Sequence, residues 1–535
     1  MRNGVAILSK NIKLDKNYKS VLNYTEQEML ELMTDNANLV YSANDLSFTR
    51  ESNEIILKVP YSVGIQANYL AFQNPDYSNK YFFAFIDEVE YLGEKQTKFK
   101  YTIDLFTTWW SYWSPKACYV IREHVTDDTI GKHTIPEGLE TGDYVTNGIE
   151  NLSYGSFYYV ASISEDLLNN DNTNKVYNGV PSGLTYIILK TKDDLWKLID
   201  LYNGDSKIDA IYSIFVIPQS YQPSPVWRQW SFTFGSISLT IDYAYVRESL
   251  TAYTIGDLTI TRPSTIDSYS PANNKCLVYP YQYLMVDNGC GGIAKYNYEY
   301  FSNPSECVFR ALMTISAGCS IKIVPRYYKN SGAENYSESL NGAKLPVGAW
   351  INDVYTNWLT QNGVNQSYDL PKAIVTGAIG GGITGGVPGA IIGAVSGFAY
   401  NQWDNMKQKE IHDLAPNQAV GNTNSSDIMY AMGHSSPLFY KMSVRSEYIK
   451  VIDKYFTRVG YMVNSVKLPN MTHRQNYNYI QIGNDENLCY PNNHDNIMIP
   501  AKALNDINQL FRNGITIWNN HTNFGDYSVS NNITN

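Results

Sequence analysis

Between Lys372 and Asp404 the chain runs for 31 residues without a charged side chain, and whatever this protein folds into must find a place for them. The stretch reads AIVTGAIGGGITGGVPGAIIGAVSGFAYNQW, unlike anything else in the sequence. As a helix its first 28 residues, 373–400, would extend ~42 Å at ~1.5 Å per residue, against ~30 Å for a bilayer core. Pro388 leaves a second arrangement open, a re-entrant hairpin. Gly377, Gly381, Gly385, Gly389, Gly393 and Gly397 form an unbroken i, i+4 ladder, the spacing that lets helix backbones approach closely in lipid. Steps of four drift ~40° around a helix, so the ladder suits crossed neighbours.

Magnitudes say when such a segment is helical. Ile374, Val375, Ile379, Ile383, Val387, Ile391, Ile392, Val395 and Phe398 together favour insertion by ~3–5 kcal/mol at ~0.3–0.6 each, with glycine and Pro388 offsetting part of it. In water each of the nine glycines costs ~1 kcal/mol relative to alanine. One copy in water is therefore no stable helix, and one copy in lipid is marginal. Several copies packed together, or sheltered in an assembly and then released into lipid, escape both problems. Residues 401–414 follow with Trp403, Met406, Ile411 and Leu414 among charges, a pattern that fits either a headgroup boundary with Trp403 as anchor or an ordinary surface helix.

A glycine-rich packing segment inside a soluble core is the bland alternative for the whole stretch. Gly380-x-Gly382-x-x-Gly385, with Asp404 downstream, formally matches a dinucleotide fingerprint. That reading fails because Pro388 and Gly389 interrupt the helix it needs, and too few residues remain for that helix and the next strand.

The remainder looks different. With 535 residues the chain has room for three or four modules, and 45 tyrosines within a 14% aromatic content favour pleated, half-buried surfaces. The expected fold is mainly β with a few helices, a β-rich multi-domain chain carrying a long Gly-rich hydrophobic loop. A net charge of −10 is the wrong sign for gripping phosphate backbones. Cys118, Cys276, Cys290, Cys307, Cys319 and Cys489 include no Cys-x-x-Cys pair and read as buried thiols. The apolar run at residues 5–8 is too short for a secretory signal, so synthesis in the cytoplasm is expected.

Strand patterning covers residues 54–60, 81–91 and 99–105, a meander with a Pro- and Asn-bearing turn at 73–79. Helices are expected at 25–36, opening with the capping box Thr25-x-x-Glu28, at 193–202 and at 500–513. Residues 438–518 otherwise read as strands. The domain boundaries that follow are 1–150, β-rich; 151–365, β-rich middle domains; 366–433, the hydrophobic loop; and 434–535, β-rich.

No catalytic constellation is visible. The seven histidines lack zinc-ligand spacing, and no metal or cofactor is called for. Glu88 and Glu90 share a strand face as a wall-degrading glycosidase dyad would, although two acids at i, i+2 usually mark a solvated face.

YLAFQNPDYSNKYFFAF at 69–85, YTIDLFTTW at 101–109 and VIREHV at 120–125 resemble the distal tail knob proteins of small short-tailed bacteriophages of Gram-positive hosts, the Picovirinae type. VGYMVNSVKLPN at 459–470, NYNYIQ at 476–481, NGITIW at 513–518 and GDYSV at 525–529 are similar in order and spacing. The resemblance covers about 50–145 and 435–530 and leaves 150–360 unmatched. It implies a homohexameric tube at the tail tip, joined to proximal tail or connector proteins, through which viral DNA passes without sequence-specific contacts. It also implies hydrophobic loops that plug the lumen and then form a channel through the host cytoplasmic membrane. An adsorption protein binding wall sugars, and a tail-borne wall hydrolase, are the competing readings.

Overall fold

The apolar runs around residues 69–72 and 81–86 are continuous, not alternating, which requires strands covered on both faces. The computed structural model describes residues 4–49, 53–74, 77–168, 176–177, 180–181, 184–246, 252–288, 291–315, 320–345, 347–349, 436–492 and 497–534. These fall into two units interleaved along the chain. One comprises Met1–Thr141, Ser270–Leu277 and Glu447–Asn535; the other comprises Gly142–Tyr269 and Val278–Ser446.

In the first unit, strands Tyr69–Asn74, Lys80–Gly93 and Gln96–Ile103 form the expected antiparallel meander. Gly4–Ser9, Leu39–Thr49 and Glu54–Leu57 close it into a six-stranded barrel. Alternate residues Ala6/Leu8, Ile55/Leu57, Leu70/Phe72 and Phe99/Tyr101 fill one core. The opposite face carries Ile7, Tyr69, Ala71, Phe83 and Phe85, which pack with Met29, Leu32 and Met33 of helix Glu26–Thr34 and with Trp518. Both faces are therefore buried, which accounts for the unbroken apolar runs. The capping box forms as expected: the Glu28 N–H donates to Thr25 Oγ1 at 3.3 Å, and the Thr25 N–H donates to Glu28 Oε2 at 2.8 Å.

Strand Gln96–Ile103 stops short of Leu105 because Asp104 caps a short helix, Leu105–Trp109. Its carboxylate accepts from the Thr107 N–H at 3.1 Å and from the Tyr69 hydroxyl at 2.7 Å. A second sheet of this unit orders Ser20–Leu22, Ile515–Trp518, Tyr477–Ile482, Cys118–Glu123 and Tyr461–Lys467, so that both ends of the chain meet in it. Helix Ala501–Asn513, anticipated at 500–513, packs Ile507 and Phe511 into the core that holds Phe106 and Trp113.

Residues 446–459, read as part of a strand-rich stretch, form a helix. Ile449, Ile452, Asp453 and Phe456 are buried at i, i+3, i+4, i+7, while Tyr448, Val451 and Tyr455 face outward. Ile449, Ile452 and Phe456 carry a helical period legible in the sequence, which a strand reading of 438–518 passes over. The helix ends at Gly460, φ 64°, where an added Cβ would lie 2.0 Å from the Glu123 carbonyl oxygen. Only glycine permits that approach.

The second unit has a six-stranded sheet in the order Arg228–Phe234, Ile237–Tyr245, Thr185–Leu189, Phe157–Ile163, Ile211–Pro218, Val347–Ala349. Helix Lys192–Gly204, which contains the expected 193–202, covers one face through Leu195, Leu198, Ile199 and Tyr202. Two four-stranded sheets share its other core. One orders Tyr253–Thr261, Glu306–Met313, Ser320–Arg326 and Leu340–Lys344; the other orders Tyr144–Asn151, Leu438–Val444, Gln282–Asp287 and Ile293–Tyr296. The architecture is thus mainly β with a few helices. Among the described cysteines, Cys118, Cys276, Cys307 and Cys489 are buried free thiols.

The glycines give a paired test. Gly525→Ala, at φ 82° with open space around the added methyl, should cost only the left-handed strain of ~1–2 kcal/mol. Gly460→Ala adds a backbone collision and should cost at least ~2 kcal/mol more in chemical denaturation of the full-length protein.

Candidate functional site

Every position of the predicted membrane segment, from Ile374 through Trp403 with the ladder Gly377 to Gly397, lies outside the described residues, as does the surrounding 366–433. The chain on either side is described. It leaves through Val347–Ala349, a three-residue strand that among the described residues pairs with Ile211–Pro218 alone (Phe215 opposite Val347, Ser213 opposite Ala349). It returns through Leu438–Val444, a seven-residue strand hydrogen-bonded on both sides, to Tyr144–Asn151 and to Gln282–Asp287.

The return is the firmer of the two. Phe439 and Val444 are fully buried, and the Phe439 ring meets Phe309 at 5.0 Å between centroids. Beyond the strand, the Arg445 N–H donates to the Asp143 carbonyl at 3.0 Å and the Ser446 N–H to Asp267 Oδ2 at 2.9 Å. Burying a phenylalanine of this kind contributes ~3–5 kcal/mol against truncation, whereas a three-residue edge strand offers a few one-sided hydrogen bonds. Among the described residues, then, the returning strand has two hydrogen-bonded neighbours and the leaving strand one. No helix among the described residues is long and apolar enough to cross a membrane.

The Glu88/Glu90 pair sits on strand Lys80–Gly93 in a ladder of opposite charges. Lys100 reaches Glu88 at 2.8 Å and Glu90 at 2.6 Å, while Lys98 reaches Glu90 at 2.5 Å and Glu54 at 3.7 Å. Hydrogen bonds from Lys100 and Lys98 hold the Glu90 carboxyl below the usual range, whereas a glycosidase acid needs its pKa raised. The arrangement matches the solvated-face reading. No group of three or more His, Cys, Asp or Glu side chains placed to hold a metal ion occurs among the described residues. A cleft of about 550 Å³ in the second unit is lined by Gln222, Pro223, Ser224, Val226, Arg228, Tyr245 and Tyr253.

The polar centre that sequence reasoning missed lies in the first unit. Arg122, Glu123 and His124 are consecutive yet all buried, so strand alternation alone cannot satisfy them. Glu137, its side chain fully buried, takes ion pairs from both Arg122 and Lys275 and accepts the Met462 N–H at 2.9 Å. Glu123 pairs with Lys467 and accepts the Asn470 N–H at 2.7 Å. Asp453 accepts from the N–H groups of Ala272 and Asn273 at 2.8 and 3.0 Å, fastening Ser270–Leu277 to helix Ser446–Val459. Three ionisable residues in a row at the end of an otherwise apolar strand were the available signal, but the partners stand up to 355 positions away.

His124 shows what the network imposes. The Tyr479 N–H donates to its Nδ1 at 2.7 Å, so the ring proton sits on Nε2 and points at the Thr457 carbonyl, 3.1 Å away. Burial, with the nearby Arg474 charge, pulls its pKa down to about 3. The folded value lies below the unfolded ~6.5, so the unfolded chain takes up a proton first as pH falls. The stabilisation is fully present above about pH 6.5 and is lost on acidification toward the folded value. Relative to a His124→Gln variant, the wild-type protein should lose roughly 2–3 kcal/mol between pH 7.5 and 4.5, read from denaturation midpoints at each pH.

Comparison with known proteins bears on the whole chain. The sequence model described as the C-terminal domain of tail knob protein gp9 of Bacillus phage phi29 matches residues 244–532, and that of the caudoviral major tail protein N-terminus matches residues 3–113. The tail knob protein gp9 of Bacillus phage phi29 is 25% identical, the alignment covering 98% of this chain and 97% of that protein. Its counterpart in Bacillus phage PZA is 24% identical with the same coverage, and that in Bacillus phage B103 is 24% identical over 87% of this chain and 88% of the relative. The solved structure of the bacteriophage C1 tail knob protein gp12 superimposes with a TM-score of 0.65 at 13% identity, covering 99% of this chain and 100% of that one, a likeness of fold. With a family match spanning more than half of its length, and the barrel, sheets and buried cores of a β-rich chain beneath it, this protein belongs to the tail knob protein family of phi29-type bacteriophages.

Proposed function

We propose that this tail knob protein assembles as a homohexameric tube, joined to the proximal tail, that conducts the viral genome. Its 366–433 loops plug the lumen before infection and then enter the host cytoplasmic membrane as a channel. The observation that carries the proposal is the 31-residue uncharged stretch with its i, i+4 glycine ladder. Six copies sharing a lumen relieve the penalty that one copy in water suffers. Unequal fastening of the flanking strands supports the same reading: a strand buried in a core and bonded on both sides can hold the loop to the protomer while the edge strand yields.

Division of labour along the chain follows, with 1–150 and 434–535 building the tube, 151–365 the middle of the knob and 366–433 the membrane segment. Net acidity suits a conduit, since six subunits at −10 sum to −60 and would not condense DNA on the wall. No cofactor and no chemical step are required. The cleft beside Tyr245 and Tyr253, with Arg228 at its rim, favours a second reading in which the knob also holds a host wall saccharide.

Deleting residues 373–400 should leave ring or tube assembly intact in negative-stain images and abolish dye release from liposomes. Unchanged release from the deleted protein would refute the channel. Rings that decorate host cells but never leak liposomes, even with the segment present, would favour adsorption.

A further inference from the structure

Buried cations in this protein are generally matched by carboxylates, as Arg122 and Lys275 are by Glu137. Arg262 is different. It follows strand Tyr253–Thr261, and its N–H extends the ladder by donating to the Ser305 carbonyl at 3.0 Å. Alternation places Arg262 on the face of Ile260, which is fully buried and stands opposite Cys307, also fully buried. The guanidinium is thereby carried toward an apolar core that includes Tyr296, Tyr298 and Phe309.

Arg262 is only 9% exposed, and among the described residues neither Nε nor Nη1 has a hydrogen-bond partner. The hydroxyl of Tyr298, a residue with 0% exposure within electrostatic reach of Arg262, has no hydrogen-bond partner among the described residues either. The nearby charges do not close the gap. Glu299 acts on Arg262 through space but accepts from the Tyr279 N–H at 3.3 and 3.4 Å, and Lys441 is paired with Glu150. Burial pushes the Cys307 thiol up, so it stays neutral. A guanidinium does not shed its proton at ordinary pH. Two N–H groups of a buried positive charge, and a hydroxyl of the adjoining apolar core, thus lack hydrogen-bond partners among the described residues, and such a charge is tolerated when an acceptor of opposite sign accompanies it.

We infer that Arg262 and Tyr298 form a buried site for a small inorganic anion of halide size. A monatomic anion accepts from several donors without a directional requirement of its own, which suits a guanidinium edge and a hydroxyl. The competing occupant is a water bridging Arg262 to Gln282 Oε1, an acceptor that also lacks a partner while its Nε2 donates to the Pro263 carbonyl at 3.0 Å. The site owes nothing to the channel proposal, yet its core also contains Phe439 of the returning strand.

The test uses full-length protein melted in sodium chloride and in sodium gluconate at constant ionic strength, with bromide as the crystallographic probe. The expected result is a melting temperature that rises about 2 °C per tenfold increase in chloride but not in gluconate. The dependence should vanish in Arg262→Leu and weaken in Tyr298→Phe, which keeps the ring should the arginine variant not fold. An anomalous bromide peak should stand beside the guanidinium. Identical melting in the two salts, with no bromide peak and water density between Arg262 and Gln282, would overturn the inference.

Discussion

A long stretch of chain with neither charge nor helix propensity cannot be left in water by itself, and the rest of this molecule can be understood as what holds its ends. The strand Leu438–Val444 lies between two others with Phe439 locked against Phe309, while Val347–Ala349 clings to a sheet edge. In a two-sided strand every backbone group is paired and the side chains fill a core, so removing it disrupts three strands at once. An edge strand costs only its own few bonds.

The tube-forming reading leans on a different kind of rigidity. In the first unit one barrel face is filled by Leu70, Phe72 and Phe99 and the other by Tyr69, Phe83 and Phe85 against a helix, so the same strands serve two cores. A wall built this way is stiff on both sides. The buried Glu137 centre adds long-range fastening, joining Arg122, Lys275 and the Met462 backbone from three separated parts of the chain. Breaking such a centre leaves uncompensated charge, which makes it a device for holding one arrangement more than a source of net stability.

What the sequence disclosed was local. Thr25 and Glu28 announce a helix start because a capping box is made within four residues, and the 81–91 strand shows in its own apolar pattern. Barrel closure did not show, because Gly4–Ser9 finds Tyr69–Asn74 some 65 positions on, a register no local pattern encodes. The helix Ser446–Val459 was legible as well, since Ile449, Ile452 and Phe456 repeat at helical spacing, but taking 438–518 as one strand-rich stretch passes over it. Strand 99–105 ends two residues early because Asp104 caps the next helix through the Thr107 N–H, a local signal that the alternation of Phe99, Tyr101, Ile103 and Leu105 outweighs. For the candidate site, the uncharged run and its ladder were plain in the sequence, but the unequal strength of its two anchors belongs to the sheets and could be seen only there.

The central claim is that the 373–400 segment moves from protein company into lipid. An environment-sensitive fluorophore attached at Ile383→Cys, where the described native cysteines are buried and slow to react, reports this directly in the assembled protein. Mixing with liposomes that carry a quencher deep in the acyl region should quench the label, in step with dye release. A label that keeps its emission while the liposomes leak, or that is never reached by the lipid-borne quencher under any releasing condition, would contradict the claim.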